Sequence, residues 1–145
     1  MHADDCIFCR IVAGETPCEE IYRDELTLAF MDIHPANDGH CLVIPKAHFE
    51  TVFEMPPALF GAVASSVVSV AQAVNGVLRP GGLSVLQANG ALAGQTAPHV
   101  HVHVLPRRVD DNLLINWDRE RIDVGTADPT RIAAIAARLR TCLRA

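Results

Sequence analysis

His99-Val100-His101-Val102-His103-Val104 is the stretch on which the reading of this chain turns. In a β-strand successive side chains point to opposite faces, so the three imidazoles share one face about 6.6 Å apart while the valines enter the core. Histidine alone titrates near neutrality without help, at about pH 6.5. Three on one surface can therefore supply a nucleophile, a proton donor and an anion-binding group together. A lone strand histidine is more often a solvated or hydrogen-bonded structural residue, and a His-x-His pair is often a zinc site. Three in register, with Pro98 before and Leu105-Pro106-Arg107 after, fit those readings poorly. The run is internal and spaced by β-formers, which excludes an expression tag.

Working outward, Cys6 to Val12 reads as a short helix stopped at Gly14. Ile21 to Tyr22 and Leu26 to Ile33 read as strands joined by a turn at 23–25, Pro35 to Gly39 as a turn, and His40 to Ile44 as a third strand closed by Pro45. From Ala58 the apolar residues Leu59, Val63, Val67, Val70, Val74 and Val77 fall three and four apart, one face of a long helix stopped by Pro80-Gly81-Gly82. Leu83 to Ala88 is a fourth strand, Asn89 to Pro98 a loop, and the histidine run the fifth strand. After an irregular stretch with Trp117, Asp128 caps a last helix with Pro129 in its first turn and Ile132, Ile135, Ala136, Leu139 and Leu143 on its apolar side. The pattern predicts a single α+β domain over 1–145, with a core at about 6–107, a C-terminal extension over 108–145, and a mainly antiparallel five-stranded sheet.

The chain has 145 residues, 50% hydrophobic and 20% charged, which suits one packed core. Its net charge of −5 speaks against a surface that coats nucleic acid. No run of eighteen apolar residues is present and Met1 to Asp5 is polar and acidic, so a cytoplasmic protein without a membrane partner is expected. Five cysteines, an odd number with two close together, point to reduced thiols or a metal site rather than a disulfide framework. The loop Asn89-Gly90-Ala91-Leu92-Ala93-Gly94-Gln95-Thr96 has the glycines and amides of a phosphate cradle beside the histidine strand, a pattern that plain turns share.

His99 to Leu105 matches the signature of the histidine triad (HIT) family at every position: His, hydrophobic, His, hydrophobic, His, then two hydrophobic residues. Phe30, Asp32, Ile33 and Pro35, then Gly39, His40, Leu42, Val43, Ile44, Pro45, Lys46 and His48, also resemble the family's first half. The resemblance runs from Cys6 to about Arg107 and is greatest to the nucleotide-binding (Hint-like) branch with the zinc-bearing features of bacterial members. It implies a HIT-like fold with a long central helix and a C-terminal helix, and commonly a homodimer that extends one sheet across both subunits.

The resemblance also implies roles. His101 becomes the nucleophile that attacks the α-phosphate of a purine nucleotide conjugate, such as a nucleoside phosphoramidate, to form a covalent nucleotidyl-histidine that water releases. A neutral imidazole suits this task near pH 7, particularly with a backbone carbonyl on its other nitrogen. His103 holds phosphate oxygens, His40 lies near the leaving group, and Asn89, Gln95 and Thr96 contact the phosphate or leaving group, Thr96 counted with the catalytic set. Asp32 accepts from the ribose hydroxyls, while Ile7, Phe8 and Ile33 pack on the base, although Phe8 and Ile33 equally suit an ordinary core. By the same resemblance Cys6, Cys9, His48 and His99 form a closed Cys₂His₂ structural zinc site. A redox Cys-x-x-Cys and two unconnected thiols are the alternatives. Cys18, Cys41 and Cys142 read as plain hydrophobes, and His2 and His34 as uninvolved. Three other functions stay open: a dinucleoside polyphosphate hydrolase, since Gln95, Thr96, Pro98 and Leu105-Pro106-Arg107 resemble the fragile histidine triad branch; a hydrolase with catalytic zinc on the triad itself; and a regulatory nucleotide binder with incidental hydrolysis.

Overall fold

The computed structural model describes residues 5–113 and 128–143, which fall in two compact units, Met1–Asp111 and Asn112–Ala145. In the first unit strands β1 (Glu20–Arg23), β2 (Thr27–Met31), β3 (Cys41–Pro45), β4 (Gly82–Gln87) and β5 (Val102–Arg107) form one antiparallel sheet in the order β1-β2-β3-β5-β4. Helices α1 (Ile7–Val12) and α2 (Pro57–Leu78) pack against it, and a 3₁₀ turn, Ala91–Ala93, interrupts the loop after β4. Strands β2 and β3 are buried almost end to end rather than at alternate positions because both faces of the sheet are covered there.

The alternation still decides which side chain meets which layer. Ala29, Cys41, Val43, Val100, Val102 and Val104 pack with Val63, Val67 and Val70 of α2. Leu28, Phe30, Leu42 and Ile44 pack instead with Cys6, Phe8, Cys9 and Ile11 around α1. Helix α2 begins with Pro57 in its first turn, where a missing N–H is harmless, and ends on Arg79 in the left-handed conformation at φ 46°. Its composition and 22-residue length would suit a membrane span, yet Val63, Val67 and Val70 are buried on the sheet. Val77, anticipated on that buried face, is instead 80% exposed where the helix outruns its support. Ser66, which the apolar spacing passes over, is buried and shares a 2.7 Å hydrogen bond with Thr27, so neither hydroxyl is orphaned.

Three boundary differences bear on the site. Strand β2 stops at Met31, leaving Asp32 and Ile33 in the following turn, where the Asp32 carboxylate accepts the His34 N–H at 2.8 Å. His40 precedes β3 rather than opening it. Most consequential, β5 starts at Val102, so of the three signature histidines only His103 lies in the sheet. The β3–β5 register would next set Ile44 against His101 and Pro45 against Val100, and proline has no N–H to donate. The Val100 N–H goes to the Phe49 carbonyl instead, at 2.7 Å.

The second unit's described part is α3 (Pro129–Leu143), capped as expected: the Thr130 N–H donates to the Asp128 carboxylate at 2.9 Å. On its anticipated apolar side Ile135 and Leu139 are exposed. Trp117 lies outside the described residues.

Candidate active site and metal-ligating cluster

Although His99 and His101 stand outside the ladder, the valines still face α2 and the imidazoles the α1 side. The rings converge more than an ideal strand allows, with His101 and His103 centroids 4.9 Å apart. His101 is buried, and its Nδ1 lies 2.7 Å from the His99 carbonyl. A carbonyl only accepts, so Nδ1 carries the proton, and Nε2 is left as the basic, nucleophilic nitrogen. Phe8 stands edge-on to the same ring at 5.4 Å.

His103 and His40 form a directed pair. The Ala36 N–H donates to His40 Nδ1 at 3.1 Å, so the His40 proton sits on Nε2, which donates to His103 Nδ1 at 2.9 Å. His103 must then hold its own proton on Nε2, the nitrogen that remains for a substrate. Burial, reinforced by His101 and His40, pulls His103 down to about 4. Burial also lowers His40, with Asp32, 3.6 Å from Nδ1, opposing the shift. Both are neutral near pH 7, as the relay requires. Asp32, His40 and His103 would also count as a metal-capable group. Their 2.9 Å nitrogen spacing is a hydrogen-bond length, below the roughly 3.3 Å between two nitrogens on a tetrahedral zinc.

A glycine and a polar clamp place His40. Gly39 has φ +86°, and a Cβ there would overlap Leu78 Cδ1 and lie 3.2 Å from Pro106 Cγ. Asn37 accepts the His40 N–H at its carbonyl, while its side-chain amide donates to the Pro106 carbonyl and to Asp111. Arg107 in turn holds Asp111 at 2.7 Å. Sequence reading passed over Ala36, Asn37 and Asp111. Asn37 stood in a segment read only as turn chemistry, and its partners are 69 and 74 residues away.

Asn89 and Gln95 are both engaged inside the protein. Asn89 accepts the Val52 N–H at 2.9 Å and exchanges bonds with Gln87. Gln95 accepts the Gly90 N–H and donates to the Glu50 and Ala97 carbonyls, closing the loop on itself. Thr96 is exposed at the loop's end, Ile33 is 80% and Ile7 38% exposed, and Phe8 is buried. An apolar groove of about 410 Å³ between α2 and β1–β2, lined by Tyr22, Met31, Val70, Val74 and Leu78 among others, contains none of these histidines.

Behind the site lies a second constellation. Cys6, Cys9, His48 and His99 bring one donor atom each to within 4.8 Å of one another and could hold a metal ion. The sulfur–nitrogen distances are 3.4 Å (Cys6–His99), 3.6 Å (Cys9–His99) and 3.2 Å (Cys9–His48). Zinc with bonds of about 2.3 Å to sulfur and 2.0–2.1 Å to nitrogen sets the corners of a tetrahedron about 3.3–3.8 Å apart, so the donor set fits. His99 Nε2 donates to the Pro45 carbonyl at 2.9 Å, which fixes the tautomer with Nδ1 free to ligate. Burial pushes His99 down to about 4, keeping it neutral as a ligand must be.

A five-stranded antiparallel sheet carrying a tautomer-fixed imidazole beside a directed histidine pair defines the class of histidine triad proteins. The chain belongs to the HIT domain family, which matches residues 13–110. An adenylylsulfatase of Arabidopsis thaliana, HINT3, is 35% identical over 97% of this chain and 68% of its own length. The adenosine 5'-monophosphoramidase hnt1 of Schizosaccharomyces pombe is 38% identical over 77% of this chain and 82% of its own. Among solved structures, a Streptococcus mutans protein superposes with TM-score 0.88 at 35% identity, covering 97% of this chain and 87% of that one. A zinc-bound histidine triad protein of Mycobacterium smegmatis gives 0.72 at 39% identity, over 80% and 86%.

Proposed function

We propose that this protein hydrolyses purine nucleotide conjugates of the nucleoside phosphoramidate type through a covalent nucleotidyl-His101 intermediate. The observation that carries this reading is the 2.7 Å contact from His101 Nδ1 to the His99 carbonyl, which puts the proton of the neutral ring on Nδ1 and turns Nε2 into the attacking nitrogen. Nε2 attacks the α-phosphorus as the P–N bond to the leaving group breaks, and the leaving amine takes up a proton from solvent as it departs. Water then attacks the same phosphorus as the P–Nε2 bond breaks, its proton passing to solvent, which restores Nε2 and releases the nucleoside monophosphate. His103 presents Nε2–H to a phosphoryl oxygen as charge builds there, and His40 holds it in that form. Thr96 lies where the loop ends and serves the leaving group; Asn89 and Gln95 contact the phosphate or leaving group from a loop whose shape their own hydrogen bonds hold. Asp32 takes the ribose hydroxyls, with Ile7, Ile33 and the edge of Phe8 beside the base. The names of the plant and yeast relatives support the substrate class.

Zinc is the metal that the Cys₂His₂ donor set suits. Bound there it would be a closed, structural ion tying α1 to the histidine segment. The protein works as a homodimer in this reading, with β4 at the sheet edge and Val85, half exposed on it, available to extend the sheet.

The test is a single-turnover reaction with an adenosine phosphoramidate, quenched in alkali and mapped by mass spectrometry. The adduct should sit on His101, and His101→Ala should lose turnover while binding adenosine monophosphate within about tenfold of the parent. Ordinary turnover by that variant would overturn the reading.

A further inference from the structure

The metal cluster and the nucleophile share a residue. The His99 side chain lies in the cluster, fully buried, with Nδ1 toward both sulfurs and Nε2 on the Pro45 carbonyl. The His99 main chain carries the carbonyl that takes the His101 Nδ1–H. Because β5 begins only at Val102, no ladder bond holds that carbonyl; its peptide plane is held instead by the Val100 N–H on the carbonyl of Phe49, the residue that follows the ligand His48. A second path runs in parallel: Phe8, between Cys6 and Cys9 in sequence, sets its ring edge-on to His99 at 5.8 Å and to His101 at 5.4 Å. Any movement that releases the two cysteines also releases the ring that confines the nucleophile.

We infer that His99 is a positioning residue, and that occupancy of the Cys6/Cys9/His48/His99 site sets the tautomer and orientation of His101. This rests on His101 being the nucleophile and on the cluster being a zinc site. With the cluster anchored, the His99 carbonyl stays in place and the His101 proton is held on Nδ1. Without it, the His99 side chain and Phe8 are released and the His99 peptide keeps only its bond to the segment that carries His48, itself no longer anchored; the carbonyl shifts, the proton exchanges between the two nitrogens, and the fraction bearing it on Nε2 cannot attack phosphorus. The effect falls on the chemical step rather than on nucleotide binding, because Asp32 and the 89–96 loop are held by other contacts.

The test uses the full chain labelled with ¹⁵N-histidine. Long-range ¹H–¹⁵N spectra assign the tautomer of each ring in zinc-loaded protein, in protein stripped by a chelator, and after zinc is added back; circular dichroism confirms that the stripped form is folded. His48→Ala, at the half-buried ligand that does not touch His101, gives a second zinc-poor form should chelation unfold the parent. The zinc-loaded form should show His101 as Nδ1–H alone, and the zinc-poor folded forms a mixture of both. Their kcat should fall about tenfold with KM within about twofold, restored in stripped protein by added zinc. A His101 spectrum unchanged by zinc loss in folded protein overturns the inference while leaving the zinc site intact. Failure to bind zinc at all overturns the zinc reading, and an active His101→Ala protein overturns the nucleophile.

Discussion

Replacing Gly39 by alanine should damage stability and chemistry together. Two costs arise. The backbone at φ +86° is one that an L-residue adopts at roughly 1 kcal/mol or more. The new methyl would also collide with Leu78 Cδ1 and crowd Pro106 Cγ at 3.2 Å. Pro106 is fully buried in β5 and cannot retreat, whereas Leu78, 45% exposed at the end of α2, can swing its tip away in part. Overpacking of this kind costs about 1–3 kcal/mol, so the total is about 2–4 kcal/mol. Urea denaturation at fixed zinc concentration measures it, and a cycle with Leu78→Ala isolates the collision. Removing that half-exposed side chain should give back about 1 kcal/mol or more in the double variant while leaving the backbone cost in place. Where the variant remains folded, kcat should also fall, because residue 39 is bonded directly to the residue that orients His103. A Gly39→Ala protein within about 0.5 kcal/mol of the parent, or strictly additive losses in the cycle, would refute the reasoning.

Asp32→Asn should weaken nucleotides with an intact ribose by about 1–3 kcal/mol and hardly change a 2′,3′-dideoxy ligand, read by calorimetric titration; equal losses would assign Asp32 to the turn and to His40 instead. Stability should decline as pH falls from about 6.5 toward 4. The buried neutral His103 resists protonation until about 4, whereas the unfolded chain takes up that proton near 6.5 and so gains relative to the folded state throughout the window. His103→Gln should flatten that part of the pH profile in thermal melts, and an unaltered slope would count against the burial of its neutral form. Val85→Lys on the edge strand should yield monomers in sedimentation experiments while preserving the sheet by circular dichroism; an undiminished dimer would place the interface elsewhere.

The sheet, its helices and the clustering of the histidines were legible because each depends on periodicity or on local stop signals such as Pro45 and Pro80-Gly81-Gly82. The start of β5 was not. Alternation from His99 onward satisfies a strand pattern, yet the partner needed to extend the ladder is a proline on another strand, and pairing is invisible in one segment read alone. The same limit hid Asn37 and Asp111, whose clamp on the His40 turn joins distant positions, and the bonds by which the Gln95 side chain closes its own loop. Phe8, left between core and ligand contact, is buried yet touches the rings that matter, because the core layer under α1 is continuous with the site.

That two-sided sheet divides the mutational tolerance of the protein by parity. Along β3 the odd positions, Cys41 and Val43, belong to the α2 layer, and the even ones, Leu42 and Ile44, to the layer under the imidazoles. Along the neighbouring segment the parity is reversed, with valines 100, 102 and 104 against α2 and histidines 99, 101 and 103 facing the other way. A library varied only at 41, 43, 100, 102 and 104 therefore explores packing, and its survivors should differ in melting temperature far more than in substrate preference. One varied at 42 and 44 reshapes the floor on which the rings rest, so specificity and fitness drift together there. Laboratory evolution of new nucleotide substrates has its room in the second set, and the first is where the stability to tolerate those changes can be accumulated beforehand.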